Sequence, residues 1–194
     1  MCPLDVPGTS SRHVKVVGGR VCDTLGTVMR AQLKFPLLIG SVAVAFLAID
    51  QVMKAVAVSS FGTPQHVLGS FLQFWLTKNC GAAWSFGTGV TWIFTVLAIS
   101  ATLVIAWFTP RCRDAIWAVA LGLVLAGVDG NLMDRLFRAP GGGNGCVVDF
   151  IAFPHYPIFN VADMCINVGA VLIVIQLYRG RHLNGTRGPQ RTAS

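Results

Sequence analysis

Four long apolar runs limit what this chain can become. Leu37 to Val58, Val90 to Phe108, Ala115 into the 130s and Val161 to Tyr178 would each reach roughly 27 to 35 Å as helices, against a hydrocarbon core about 30 Å thick. The third is the least regular: uninterrupted apolar character stops at Val128, so it spans only if GNLMDRLF continues the helix. The fold class that follows is an all-α membrane protein with four transmembrane helices. With 54% hydrophobic and 12% charged residues, against about 25% charged in soluble domains, the chain has too little charge to cover a water-facing surface.

Lys and Arg set the orientation. Arg12, Lys15, Arg20, Arg30, Lys34, Arg111, Arg113, Arg179, Arg181, Arg187 and Arg191 are eleven of the 15 basic residues, and all fall on one side of a four-span topology. That side is expected to be cytoplasmic, with both termini inside and the longer connections, 59–89 and 138–160, facing outward. The net charge of +7 therefore reads as an orientation signal, and no nucleic-acid partner is expected.

Residues 1–34 are polar and Gly-rich without periodicity, so a disordered cytoplasmic tail is expected there. The tail carries no signal-peptide h-region, and Met29, just before the first span, marks a candidate start. A membrane domain over 35–179 and a second disordered cytoplasmic tail over 180–194 complete the division. Between the first two spans, FLQFWLTKN at 71–79 alternates weakly and is rich in aromatic residues, predicting a small extracytoplasmic β-containing segment on the membrane surface.

Ionisable groups inside apolar runs are costly and need a reason. Asp50 and Lys54 stand at i and i+4 in the outer half of span one. Asn131, Asp134 and Arg135 share the outer end of span three, and Asn160, Asp163 and Asn167 form an i, i+3, i+7 stripe at the start of span four. Singly, each has a plain explanation: an interfacial ion pair, a snorkelling arginine, an N-cap with an aspartate favoured at N3. Together they place three polar faces at one depth, which favours a water-accessible cleft bounded by spans one, three and four. Within it an Arg135–Asp134 ion pair is expected.

The blocks DQVMK (50–54), NCGAAWSF (79–86), GNLMDR (130–135), VVDF (147–150) and FNVAD (159–163) resemble, in order and in register, the lipoprotein signal peptidase (signal peptidase II) family. That resemblance runs from about residue 37 to 178. It implies an aspartic endopeptidase of the bacterial plasma membrane that removes signal peptides from prolipoproteins on the amino side of a diacylglyceryl-modified cysteine. It further implies Asp149 and Asp163 as the catalytic pair, with Asp50, Lys54, Asn79, Gly81, Asn131, Asp134, Arg135, Asn160 and Ala162 binding substrate or supporting the site. Lipidated prolipoproteins and membrane lipid are the implied partners. Ala126, Trp84 and Met164 depart from the family pattern at positions that bear on pocket shape rather than reaction class.

Two close carboxylates sharing one proton can hydrolyse a peptide without metal or covalent nucleophile, the ionised one taking a proton from water and the protonated one polarising the carbonyl. No metal or cofactor is expected, and a monomer suffices. Asp149 can reach Asp163 if the turn between Pro154 and Pro157 folds its loop back over the mouth of span four. Asn79 and Asn160 can meet a substrate backbone or hold turns. All eight acidic residues are Asp, which excludes HExxH metalloproteases. Three rivals are a serine enzyme using Ser85 with His155 or Lys54, a metal-dependent lipid phosphotransferase around Asp129 and Asp134, and a small transporter. Among the six cysteines, Cys80 and Cys146 are the two in outward regions, and a bridge between them is open to either answer.

Overall fold

The computed structural model describes residues 12–81 and 90–187, with side chains from residue 33 onward. Its elements are α1 (Arg12–Ser60), β1 (Gln65–Leu68), β2 (Leu72–Asn79), α2 (Thr91–Phe108), α3 (Ala115–Phe137), β3 (Val147–Ala152) and α4 (Val161–Tyr178). Among the described residues, four stretches are long and apolar enough to cross a membrane: Leu33–Ser60, Thr91–Arg111, Ala115–Phe137 and Val161–Tyr178. GNLMDRLF does continue the third helix.

α3 is the central helix: 56% of its span is buried, against 17% for α1 and α2 and 22% for α4. Small residues let α4 approach it. A side chain on Gly127 would run into the Ala162 carbonyl, and one on Gly169 would sit 2.9 Å from the Ala120 carbonyl. Lipid chains are as apolar as leucine, so close backbone packing of this kind, rather than exclusion of water, holds spans together. Apolar side chains such as Val96, Leu97, Leu103 and Val174 remain exposed on the outside of the bundle, where a lipid-facing surface requires them.

Chain order builds one antiparallel sheet, β1-β2-β3, from two different connections. β2 falls where the aromatic segment 71–79 predicts a strand. β3 comes from the connection between α3 and α4 and pairs with β2 through Thr77↔Asp149, Lys78↔Val148 and Asn79↔Val147. Phe74 of β2 and Phe150 of β3 meet edge to face, and Phe61 stacks on Phe74.

The described residues reach into both terminal segments. Residues 12–34 are helical, since elongating a formed helix avoids a new nucleation cost even through Gly18, Gly19 and Gly26; residues 1–11 lie outside the described residues. The tail after 179 is folded through Arg187. Gly180 takes a positive φ of 62°, the Arg113 N–H donates to the Leu183 carbonyl at 2.9 Å, and Trp117 Nε1 donates to the Arg181 carbonyl at 3.0 Å. Leu183 packs on a cluster of Ile39, Ile105, Cys112, Trp117 and Leu121, and that contact holds a segment whose composition is polar. Residues 188–194 lie outside the described residues.

Candidate active site

Each end of the loop between β3 and α4 delivers an aspartate. Asp149 occupies the buried middle of β3. The chain then turns at residues 153–156, and Phe159 returns to bond Ile151 in both directions, at 2.8 and 3.1 Å. Asn160 caps α4: its side chain accepts from the Asp163 N–H at 3.0 Å, while its own N–H donates to Asp163 Oδ2 at 3.2 Å. This reciprocal box fixes Asp163 in the first turn, where the helix dipole favours negative charge.

Asn160 also joins the two aspartates. Its Nδ2 donates to Asp149 Oδ1 at 2.6 Å, and Asn79 Nδ2 donates to Asp149 Oδ2 at 3.1 Å. The second bond follows from register: Thr77 lies opposite Asp149, and Asn79, two residues on, shares its face. Asn131 Nδ2 donates to Asp163 Oδ1 at 2.8 Å. Burial, followed by the neighbouring Asp163 charge, pushes the Asp149 carboxyl up to about 7, the two amide donors pulling the other way.

Both carboxylates line a cavity of about 360 Å³, with Asn79, Gly81, Asn131, Arg135 and Asn167. The lining also includes Tyr156, Pro157, Ile158 and Phe159; of these Tyr156 and Ile158 were missed in the sequence, and the turn between two prolines was their signal, since it must fold over span four. Among the described residues, none of α1 lines this cavity, which corrects the expectation of a cleft walled by span one.

Asp50, Lys54 and Asp134 instead form a closed cluster. Lys54 Nζ meets Asp50 Oδ2 at 2.9 Å, Asp134 Oδ2 at 2.8 Å, Asn131 Oδ1 at 3.0 Å and the Gly130 carbonyl at 3.3 Å. Asp50 Oδ1 accepts from the Ala162 N–H at 2.8 Å, Asp134 Oδ2 accepts from the Val148 N–H at 3.1 Å, and Arg138 pairs with Asp134 Oδ1. A side chain on Gly130 would approach Asp50 Oδ2 to 2.7 Å, so only glycine admits this contact. Gln51, not singled out in the sequence, donates to Asp50 at 3.1 Å; its place inside DQVMK was the available signal.

The expected Arg135–Asp134 pair does not form. Consecutive helical residues diverge around the axis, so Asp134 faces Lys54 and β3 while Arg135 faces the cavity. Arg135 donates to the Gly81 carbonyl at 3.3 Å and stands over the Phe94 ring at 5.6 Å. Of the serine alternative, Ser85 lies outside the described residues, His155 is exposed at the loop tip and Lys54 is held by four acceptors. Trp84 lies outside the described residues too. The question left open at Cys80 and Cys146 has its answer: they are disulfide-bonded.

A four-span bundle with two acids opening on one cavity beside a small sheet defines a polytopic membrane protein with an acidic site. The family model of signal peptidase (SPase) II matches residues 42–179. A lipoprotein signal peptidase of Leifsonia xyli is 42% identical over 154 residues, covering 78% of this chain and 71% of the relative. One of Streptomyces coelicolor is 45% identical over 140 residues, covering 72% and 69%. A solved bacterial membrane enzyme, 29% identical, superposes with a TM-score of 0.65 over 77% of this chain and 92% of that one. The chain belongs to the signal peptidase II family, and is thus a membrane aspartic endopeptidase that cleaves signal peptides from prolipoproteins.

Proposed function

We propose that Asp149 and Asp163 form a one-proton dyad that activates water against the scissile peptide of a diacylglyceryl-modified prolipoprotein. The observation that carries this is the double role of Asn160, which donates to Asp149 while capping Asp163, so that two acids from separate elements face one cavity. Asp149, raised to about 7, holds the shared proton and donates to the carbonyl oxygen, and Asp163 takes a proton from water. As the tetrahedral intermediate collapses, Asp163 passes the proton it took from water to the leaving amine and Asp149 recovers its own, which restores the one-proton dyad. Arg135 has one guanidinium nitrogen, Nε, with no partner among the described residues, and it supplies positive charge beside the developing oxyanion.

The site faces outward in this reading and both termini face the cytoplasm. Two independent features support it: the basic residues gather at the opposite ends of the spans, and a disulfide beside the site belongs in an oxidising compartment. The lipid-modified substrate enters sideways from the bilayer of the bacterial plasma membrane, so its acyl chains stay among lipid while the peptide reaches the cavity.

The decisive test is incubation of purified protein with a lipidated precursor, scored for release of the leader. Wild type should release it, and Asp149→Asn and Asp163→Asn should not while remaining inserted. Cleavage surviving either change rejects the dyad.

A further inference from the structure

The disulfide sits at a junction that the reaction above does not use. Asn79↔Val147 is the last paired step of β2 and β3, and Cys80 and Cys146 follow it outward, where an antiparallel ladder would fray. The residues flanking Cys80 both serve the cavity: Asn79 donates to Asp149, and the Gly81 carbonyl accepts from Arg135. Beyond Cys146 runs the segment Gly141–Gly145, with positive φ at Gly141, Gly142 and Gly143, a stretch with little conformational preference of its own. The Gly143 and Gly145 N–H groups donate to the Arg135 carbonyl at 3.1 and 2.9 Å.

These contacts close a ring. From the Arg135 backbone the path runs through Gly145 to Cys146, across the sulfurs to Cys80, and through Gly81 back to the Arg135 guanidinium. On α2, Thr91 donates to the Cys80 carbonyl and Thr95 to the Gly143 carbonyl at 2.6 Å, holding both arms from one helix face. The bridge therefore fixes the Asn79–Gly81 rim relative to Asp149 and Arg135 together.

Resting on the signal peptidase reading, we propose that Cys80 and Cys146 are positioning residues: their bridge holds Asn79 on Asp149 and Gly81 on Arg135, and a dithiol reductant that opens it slows cleavage. The dithiol gives two electrons and two protons, the S–S bond breaks to two thiols, and the reductant closes to its own disulfide. Asn79 then leaves Asp149 for part of the time. Because its donation favours the ionised carboxylate, losing it raises the Asp149 titration midpoint.

The test uses the full chain in detergent and a synthetic lipopeptide carrying diacylglyceryl-cysteine. Oxidised wild type, wild type held in dithiothreitol with both thiols verified by mass, and the Cys80→Ser/Cys146→Ser double variant are compared by kcat, KM and ¹³C NMR titration of Asp149, assigned through Asp149→Asn. The expected result for both unbridged forms is kcat lower by about tenfold or more with KM changed far less, and a midpoint moved upward. Dithiothreitol should leave the double variant unaffected. An unchanged kcat and midpoint after complete reduction would overturn the proposal, as would an equal loss when dithiothreitol is added to the double variant. The NMR arm needs no turnover: failure of oxidised wild type to cleave rejects the signal peptidase reading, while the Asp149 midpoint still decides whether the bridge positions it. If the double variant does not fold, reduced wild type supplies the same readings.

Discussion

Two acidic clusters lie on either side of Asn131, and they differ in how their charges are answered. In one, Asp50 and Asp134 surround Lys54, Arg138 supplies a second cation, and every carboxylate oxygen has a donor. In the other, Asp149 and Asp163 receive mostly neutral amides and face a cavity, with Arg135 nearby but donating to carbonyls. An acid whose charge is answered by a buried cation becomes part of the scaffold. Acids whose oxygens meet only neutral donors keep a proton that can move. Asn131 belongs to both, accepting from Lys54 and Asn160 while donating to Asp163.

Substitutions that exchange these characters should break the comparison where it is wrong. The largest effect falls on rate: Asp149→Asn or Asp163→Asn should lower kcat by about 10³-fold or more, measured on the lipidated precursor. The fold should not suffer in parallel. A carboxyl whose folded titration lies above its unfolded value loses stability as pH rises through the interval between the two. Asp149 is such a group, so at pH 8 Asp149→Asn should melt no lower than wild type. A clearly lowered midpoint would show that Asp149 is scaffold.

Lys54→Met should show the opposite pattern. Fully buried, Lys54 is the shared partner of two acids, and removing it leaves them facing each other. Breaking such a cluster costs about 3–5 kcal/mol, seen as a fall in thermal midpoint and folded yield. Smaller again is Gly127→Ala, whose added carbon meets the Ala162 carbonyl and forces α3 from α4, at a cost of about 1–3 kcal/mol in the same melt.

How much of this was legible in the sequence depended on the kind of signal. The spans were readable because length and hydropathy act over about twenty residues, and Asp149 and Asp163 stood out because charge in an apolar setting is rare. Their meeting at one cavity depended on the Pro154–Pro157 turn, which the sequence displays. β3 was not readable as a strand: VVDFIA is continuously apolar around one acid, and its pairing with β2 is a contact between distant segments. The partner of Arg135 was misjudged because adjacency in sequence means divergence on a helix. Residues 180–187 hid their fold behind polar composition, since Leu183 and the backbone supply the contacts.

The smallest expected effect sharpens the comparison most. Asn79→Ala removes a donor to Asp149 without touching either acid or the Lys54 cluster. The active dyad holds one proton, so its alkaline limb falls where Asp149 gives that proton up, near the value of about 7 set by burial and by Asp163. Losing the Asn79 donor weakens the ionised form relative to the protonated one, so the limb should move to higher pH. Asn131 and Asn160 still serve Asp163, so the change is confined to Asp149. A pH profile of kcat on wild type and Asn79→Ala reads the displacement. An alkaline limb that stays in place would mean that Asp149 does not hold the shared proton, reversing the roles assigned to the two acids.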